Sequence, residues 1–90
     1  MSISFADAEG FDWDEGNRRK CQKHGVSIEE IEDLLLSEPM VAPDVKHSKD
    51  EQRFIAAGRT GKGRALFVAF TMRHKEGVLL VRPVSARYMH

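Results

Sequence analysis

The chain has 90 residues and a mass of 10.2 kDa, which is enough for one hydrophobic core and too little for two. Hydrophobic residues make up 41% of the sequence, but the longest apolar run, 65–70, is far shorter than the roughly 20 residues of a transmembrane helix, so a two-domain enzyme and a membrane-spanning protein are both excluded. The net charge of zero does not exclude a polyanionic partner, because residues 1–38 carry a charge of −6 and residues 39–90 carry +6.

The N-terminal segment, residues 1–10, is polar and ends in glycine, which is typical of a loose arm or a short edge strand. The remaining residues, 11–90, form one predicted domain. The N-terminus has neither the basic region nor the apolar segment of a signal peptide, and Cys21 is the only cysteine. The sequence therefore predicts a cytoplasmic protein with no intrachain disulfide and no membrane as a partner.

Two segments of the N-terminal half have the signatures of helices. Acidic residues precede a basic run that a glycine closes, which complements a helix dipole and predicts a helix over residues 14–24, with Asp12 or Asp14 as its N-cap. A capping-box sequence begins at Ser27, and apolar residues recur at helical spacing after it. A second helix is therefore predicted over about residues 27–37.

After the second helix the pattern changes to the alternation of β-strands. Residues 40–44 are a strand candidate that Pro43 restricts to a sheet edge, and residues 46–52 are a predicted loop. The four-residue segments TGKG and HKEG have lengths that suit hairpin loops, and they separate three stronger strands over 53–59, 64–73 and 78–87. The predicted fold class is α+β, with two N-terminal helices packed on a three- to four-stranded antiparallel sheet.

Simple hairpin closure assigns the strand residues to two faces, because it places Arg59 opposite Arg64 and Ala69 opposite Arg82. The face predicted to pack against the helices contains Ile55, Ala57, Leu66, Val68, Phe70, Met72, Leu79 and Val81. The other face contains Phe54, Ala56, Gly58, Ala65, Phe67, Ala69, Thr71, Arg73, Leu80 and Arg82. Small residues with a few aromatics and arginines suit an open surface for a nucleic-acid strand, unless a third helix or a partner subunit covers this face.

Pro83 interrupts the last predicted strand, because proline has no N–H to donate to a neighbouring strand. The strand is therefore either an edge at this point or contains a β-bulge, which shifts the alternation by one residue. A bulge would turn Arg82, Ser85 and Arg87 to the same side and concentrate positive charge at the end of the open face.

Four histidines and one cysteine invite a test for a metal site. The histidines stand at no zinc-like spacing, so neither a metal nor another cofactor is predicted. His24 is interpreted as a cation at a helix C-terminus, and Cys21 is interpreted as a small packing residue. Neither a GxxxxGK[ST] phosphate loop nor a GxSxG elbow is present.

Several short motifs occur together, namely Phe11, Trp13 and Asp14, then Lys23-His24-Gly25-Val26-Ser27, His47-Ser48, Glu51-Gln52-Arg53-Phe54-Ile55-Ala56, Gly58-Arg59 and Val84-Ser85-Ala86-Arg87. In order and spacing, over about residues 11–88, they resemble the BrnT family of type II toxins. The resemblance implies a RelE-like fold, metal-independent RNA cleavage, and neutralisation by a BrnA-like ribbon-helix-helix antitoxin that represses its own operon. Operator DNA would then be reached only through the antitoxin. Family members usually continue into a basic C-terminal helix, which is expected to be missing because this sequence stops at Tyr88-Met89-His90.

RNA cleavage without metal requires a base for the ribose 2′-hydroxyl and positive charge for the phosphate. Arginine is always charged and presents planar donors that match phosphate oxygens, so Arg73, Arg82 and Arg87 are predicted to stabilise the phosphate. His47 is the predicted general base, because imidazole titrates near neutrality and this residue lies in the loop ahead of Arg53. The alternative for His47 is a surface histidine hydrogen-bonded to the backbone.

Arg59, Lys62 and Arg64 cluster around the first hairpin turn and are predicted to bind the RNA backbone, unless they only form a solvated turn. Two other functions stay open at this point. One is a catalytically weakened or inactive module that binds an antitoxin, and the other is a nucleic-acid-binding regulator without enzymatic activity.

Overall fold

The computed structural model describes residues 7–89, and residues 1–6 of the predicted N-terminal arm lie outside that range. The elements are α1 (Glu15–Gln22), α2 (Ile28–Leu36), β1 (Met40–Pro43), a 3₁₀ turn (Val45–His47), β2 (Arg53–Arg59), β3 (Ala65–Lys75) and β4 (Val78–Tyr88). The strands form one antiparallel sheet in the order β1-β2-β3-β4, which confirms the predicted α+β architecture. Within the described residues, no helix follows β4 and no helix is long and apolar enough to cross a membrane.

Both helices begin at reciprocal capping boxes. The Asp14 carboxylate accepts a hydrogen bond from the Asn17 N–H at 2.9 Å, and the Asn17 side chain accepts one from the Asp14 N–H at 2.7 Å. Ser27 and Glu30 exchange the equivalent bonds at the start of α2, each at 3.1 Å. The two predicted helices are confirmed, although each is slightly shorter than predicted. Asp14, not Asp12, is the N-cap of α1.

The hydrophobic core lies between the helices and one face of the sheet. Helix α2 contributes Ile31, Leu34 and Leu35. The sheet contributes Phe54, Ala56, Leu66, Val68, Phe70, Val81 and Ala86. Helix α2 approaches β2 closely at Gly58, where an added Cβ would lie 2.7 Å from Leu34 Cδ1. The absence of a side chain at this position therefore allows the helix to pack on the sheet.

The first hairpin differs from the prediction by one residue of register. Arg59 lies opposite Ala65, not Arg64. Buried Thr60 explains the difference, because its N–H donates to the Arg64 carbonyl at 2.8 Å and its hydroxyl accepts from the Arg64 N–H, which makes Arg64 part of the loop. A one-residue slip exchanges the two faces of a strand. The predicted faces of β2 are therefore wrong, and the residues that face the helices are Phe54, Ala56 and Gly58, whereas Ile55 and Ala57 face away.

The second hairpin is tighter than predicted. Strand β3 continues to Lys75, and the turn consists only of Glu76 and Gly77, whose φ angles are 52° and 80°. Two positive φ angles are typical of a type I′ turn, whose twist matches that of the flanking strands. The predicted four-residue HKEG loop is therefore wrong. Arg82 lies opposite Thr71, two residues from its predicted partner, and a shift of two residues leaves the predicted faces unchanged.

The β-bulge predicted from Pro83 is confirmed. Phe70 pairs with Pro83 and Ala69 pairs with Ser85, so Val84 is an extra residue in β4. The bulge turns three polar residues of β4 to the same face, as predicted. They are Arg82, Ser85 and Arg87.

The two edges of the sheet are covered differently. The segment that precedes α1 runs along β4, where the Glu9 N–H donates to the Leu79 carbonyl at 2.9 Å and the Asp12 N–H donates to the Val81 carbonyl at 2.8 Å. Strand β1 forms the opposite edge, as predicted from its proline, and all four of its residues are exposed. The accessible edge of the sheet is therefore β1.

Candidate active site

The sheet face that points away from the helices carries three rows of paired residues across β2, β3 and β4. The rows are Arg53, Thr71 and Arg82; Ile55, Ala69 and Ser85; and Ala57, Phe67 and Arg87. Arg73 lies on the same face, two residues beyond Thr71 in β3. These arginines of the C-terminal half therefore lie on the side of the sheet that faces away from the helices, of which α2 is acidic.

A cleft with a volume of about 370 Å³ lies over this face, and we name it the histidine cleft. Its lining consists of His24, Asp44, His47, Arg53, Ile55, Phe67, Ala69, Ser85, Ala86 and Arg87. The volume is within the range of pockets that hold small ligands. An aromatic ring, two histidines and two arginines are the groups that a nucleotide with its phosphate would meet there.

His47 and Asp44 form a hydrogen-bonded pair in the histidine cleft. Nδ1 of His47 lies 2.9 Å from Asp44 Oδ2 and 3.1 Å from Oδ1. The Asp44 side chain is 12% exposed, whereas the His47 side chain is 54% exposed. A carboxylate at Nδ1 orients an imidazole and leaves Nε2 available for a substrate proton. The ring is bonded to a carboxylate and not to the backbone, and this arrangement suits a general base.

The turn after β1 holds the Asp44–His47 pair in place. The Asp44 N–H donates to the Arg53 carbonyl at 2.8 Å, and the Ser48 hydroxyl donates to the Asp44 carbonyl at 2.7 Å. The same hydroxyl accepts a hydrogen bond from the Arg53 N–H at 2.9 Å. The turn that carries the histidine is therefore tied to the first residue of β2.

Two arginines of the histidine cleft carry uncompensated charge. Neither Arg53 nor Arg87 forms an ion pair with any residue in 7–89. The guanidinium carbon of Arg87 lies 6.0 Å from the centroid of the Phe67 ring. Arg53 was not among the predicted site residues, and neither predicted face of the sheet included it. The correct register is the signal that would have found it.

A second cavity, of about 300 Å³, adjoins the histidine cleft and shares His47 and Arg53 with it. We name it the arginine cavity, and its lining consists of His47, Lys49, Asp50, Glu51, Arg53, Thr71, Arg73, Arg82 and Val84. Arg73 donates hydrogen bonds of 2.8 and 3.1 Å to the Glu51 carboxylate, which raise the pKa of the guanidinium above its ordinary value. The charge of this predicted phosphate ligand is therefore compensated within the protein.

Arg82 is compensated by two carboxylates. Its Nη2 lies 2.8 Å from Asp14 Oδ2 and its Nη1 lies 3.4 Å from Asp12 Oδ2, and only 19% of the side chain is exposed. Asp12 is buried and also accepts a hydrogen bond from Lys75 Nζ at 2.9 Å. The Asn17 N–H and then Arg82 lower the pKa of Asp14 by donating hydrogen bonds to its carboxylate. Arg82 therefore links β4 to the N-terminus of α1.

The three residues predicted to bind the RNA backbone stay together at the first hairpin loop but have different surroundings. Arg59 donates to the Gly63 carbonyl at 2.8 Å, within the hairpin loop. Lys62 lines a cavity together with acidic residues of α2, on the helix side of the sheet. The guanidinium of Arg64 lies 3.4 Å from the centroid of the Tyr88 ring and lines a space of about 700 Å³ that shares three lining residues with the histidine cleft. Arg64 therefore lies between the two regions, because it lines both the cavity that contains Lys62 and the space next to the histidine cleft.

His24 lies in the exposed turn between α1 and α2, after the C-cap residue Lys23 and before Gly25, whose φ is 87°. This turn brings His24 to the lining of both the histidine cleft and the adjoining space. The sequence interpretation as a helix C-terminal cation did not anticipate this position. His24 and His47 are far apart in the sequence, so no spacing rule could have related them.

Three other groups complete the chemical inventory. Cys21 is buried, which raises the pKa of its thiol to about 11 and confirms the predicted packing role. The Tyr88 hydroxyl donates to Glu30 Oε1 at 2.7 Å, and this bond raises the pKa of the tyrosine. Among the residues in 7–89, no three His, Cys, Asp or Glu side chains come together as a set of metal ligands.

Comparison with known proteins identifies the family. No curated protein shows significant similarity to the chain. A family model described as the ribonuclease toxin BrnT of type II toxin-antitoxin systems matches residues 13–90. The match extends from the residue before the α1 N-cap to the end of the chain, and so it includes every helix and strand described above. The chain therefore belongs to the BrnT family of ribonuclease toxins of type II toxin-antitoxin systems.

Proposed function

We propose that this protein is a metal-independent RNA endonuclease that inhibits translation in the cytoplasm and cleaves its substrate in the histidine cleft. The observation that carries the proposal is the Asp44–His47 pair, which shares the cleft with the uncompensated arginines Arg53 and Arg87. Protein side chains alone can then fill the roles of base and phosphate ligand. No cofactor is required in this mechanism.

Substrate binding uses the open face of the sheet. A single-stranded RNA has bases that stack on aromatic rings and phosphates that bind guanidinium groups. Phe67 offers a ring beside Arg87, and Arg53 on β2 and Arg87 on β4 lie on the two sides of β3. We assign these two arginines to the phosphate at the cleavage point, and Arg64 to a neighbouring phosphate.

The reaction begins at the ribose 2′-hydroxyl. Nε2 of His47 accepts its proton, and the Asp44 carboxylate stabilises the resulting imidazolium. The 2′-oxygen attacks phosphorus, and Arg53 and Arg87 stabilise the negative charge that develops on the phosphate oxygens. Removing one preorganised donor of this kind costs about 10² to 10³ in rate.

The predicted catalytic residues Arg73 and Arg82 receive different roles in this proposal. Glu51 and the Asp12–Asp14 pair already satisfy their guanidinium groups. We assign Arg82 to positioning β4, which carries Arg87, and Arg73 to the rim of the phosphate-binding surface. Arg59 and Lys62 contribute to long-range attraction of RNA and not to the cleft itself.

A type II toxin implies an antitoxin partner, and we propose that it is a BrnA-like ribbon-helix-helix protein through which the pair binds operator DNA. Exposed apolar side chains support a protein partner. Met40 on the accessible edge strand is 82% exposed. Leu36, which precedes this strand in the chain, and Val45, which follows it, are also exposed. Substitution of Met40 by lysine should weaken antitoxin binding in a titration without changing RNA cleavage.

The decisive experiment measures cleavage of a defined RNA in the presence of EDTA, both free and on ribosomes. We expect fragments that end in a 2′,3′-cyclic phosphate and a 5′-hydroxyl. His47→Gln should reduce the rate about 10²- to 10⁴-fold, whereas His74→Gln, an exposed histidine outside the cleft, should not. The proposal fails if neither RNA is cleaved, or if His47→Gln leaves the rate unchanged.

The compensated charges of Arg73 and Arg82 favour a second candidate, a module that binds the antitoxin without cleaving RNA. Such a module would retain tight antitoxin binding while its expression leaves cell growth unaffected. A nucleic-acid-binding regulator would instead bind RNA in a salt-dependent manner and give no product.

A further inference from the structure

We propose that His24 is the general acid that protonates the leaving 5′-oxygen when RNA is cleaved in the histidine cleft. This inference rests on the proposed function and adds a second catalytic histidine to it. The observation behind it is that the turn after α1 brings His24 to the lining of the same 370 Å³ cleft as His47.

The two histidines reach the cleft from opposite edges of the sheet. His47 belongs to the segment between β1 and β2, at one end of the strand order. His24 follows α1, which packs against β4 at the other end. Residues of β2, β3 and β4 line the cleft between them. A phosphate bound over these strands therefore has one histidine on each side.

Opposite placement is what this reaction requires. In an in-line displacement the attacking and leaving oxygens lie on opposite sides of phosphorus. His47 takes the 2′-hydroxyl proton as the 2′-oxygen bonds to phosphorus, the bond from phosphorus to the 5′-oxygen breaks, and the proton of the His24 imidazolium passes to that oxygen. The products are a 2′,3′-cyclic phosphate and a 5′-hydroxyl. The two histidines end with exchanged protonation states, so no further reactant is needed.

The ring of His24 is available for this role. It forms no ion pair with a carboxylate of residues 7–89, and it is exposed. The titratable and charged groups that share its two spaces are Asp44, His47, Arg53, Arg64, Arg87 and Tyr88. The charged groups of the space that adjoins the histidine cleft are Arg64 and Arg87, and these cations attract the phosphodiester whose 5′-oxygen receives the proton.

Tyr88 is the other proton donor in the space that adjoins the histidine cleft. Its contacts make it a weaker candidate than His24 for the general acid. Its hydroxyl already donates to Glu30 at 2.7 Å, and that bond raises the pKa of the tyrosine, which makes it a poorer acid. The acid role therefore falls to His24.

The test compares two RNA substrates that differ in one atom, the 5′-oxygen at the cleavage point, which sulfur replaces in the second substrate. A thiolate leaves without a proton, so only the ordinary RNA needs the acid. We expect His24→Gln to slow cleavage of ordinary RNA about 10²- to 10⁴-fold and cleavage of the sulfur-containing RNA less than about tenfold. His47→Gln should slow both substrates. The bell-shaped pH–rate profile expected for the unaltered protein should lose its alkaline limb in His24→Gln.

His74→Gln serves as the matched control, because His74 is exposed and lies outside the cleft lining. RNA with a 2′-deoxyribose at the cleavage point cannot react, and it should bind the unaltered protein and His24→Gln equally. Equal slowing of both substrates, or no slowing of either, overturns the assignment of His24 and leaves the proposed function intact. Failure of the unaltered protein to cleave either substrate overturns the proposed function and the inference together.

Discussion

The histidine cleft and the arginine cavity lie side by side on one face of the sheet and have similar volumes, yet their arginines differ in their carboxylate partners. In the histidine cleft, Arg53 and Arg87 have no carboxylate partner among the described residues. In the arginine cavity, Arg73 and Arg82 are bonded to carboxylates. The difference is in compensation of charge, because Arg53, which lines both spaces, and Arg87 lack the carboxylate partners that Arg73 and Arg82 have. Only the uncompensated groups are available to a phosphate without breaking a bond inside the protein.

Among the arginines of the two spaces, the uncompensated ones should have the largest effect on cleavage. Arg87→Ala and Arg53→Ala should each reduce kcat for RNA cleavage about 10²- to 10³-fold, with little change in the free energy of unfolding, because each removes a preorganised donor to the phosphate. Arg19→Ala is the matched control, since Arg19 is exposed on α1 and lines neither space. A greater loss of kcat in Arg73→Ala than in Arg87→Ala would reverse the comparison between the two cavities.

Loss of a compensated arginine should lower the free energy of unfolding and not kcat. Arg82→Ala leaves the buried carboxylate of Asp12 with Lys75 as its remaining ion-pair partner, and we expect a decrease of about 3 kcal/mol in the free energy of unfolding in urea. Arg19→Ala should have almost no effect, because its ion pair with Glu15 is exposed. An Arg82→Ala protein as stable as the unaltered one would show that this network does not hold α1 to β4.

Removing the carboxylate partner of a compensated arginine should strengthen RNA binding, and this effect should be smaller than the losses described above. Glu51→Gln frees Arg73 and should steepen the salt dependence of RNA binding by about 0.7 in the log–log slope. Both partners are partly exposed, so the cost in stability should stay below about 1 kcal/mol. Asp50→Asn, which alters a neighbouring carboxylate that forms no ion pair with a described residue, is the control. An equal change of slope in both variants would indicate a general charge effect.

Acid should weaken the same network by a small amount. The pKa of Asp14 is lowered from its ordinary value of 3.8, first by the Asn17 N–H and then by Arg82. A carboxylate with a lowered pKa adds stability above its unfolded pKa, and this stability is lost as the pH falls through the lower folded value. The thermal unfolding midpoint should therefore decrease below about pH 4, and less steeply in Asp14→Asn, which retains an N-cap residue. Identical pH profiles of the two proteins would contradict this role.

Most of the fold was predictable because its signals are local. The capping boxes at Asp14 and Ser27 marked the helix starts, and Pro83 marked the bulge. The register of the first hairpin was not predictable from loop length, because it depends on how Thr60 bonds inside the folded loop. The observed register pairs Arg53 with Thr71 on the face that carries the site.

The candidate site was predictable in its location but not in its charges. Alternation and the bulge placed Arg82 and Arg87 on one face. Their different environments depend on Asp12, a residue that sequence reasoning considered as a helix cap and the fold buries against β4. Contacts between residues so distant in the chain have no local signature, and the same is true of the approach of His24 to the cleft.

The extra residue in β4 affects which insertions and deletions this strand can tolerate. Deleting Val84 would restore regular pairing after Pro83, because Pro83 and Ser85 already lie opposite the consecutive residues Phe70 and Ala69. Ser85 and Arg87 would then keep their present face of the sheet, and Ala86 would stay buried. A one-codon deletion at Val84 should thus be tolerated better than a one-codon deletion in β2, whose regular pairing with β3 contains no extra residue.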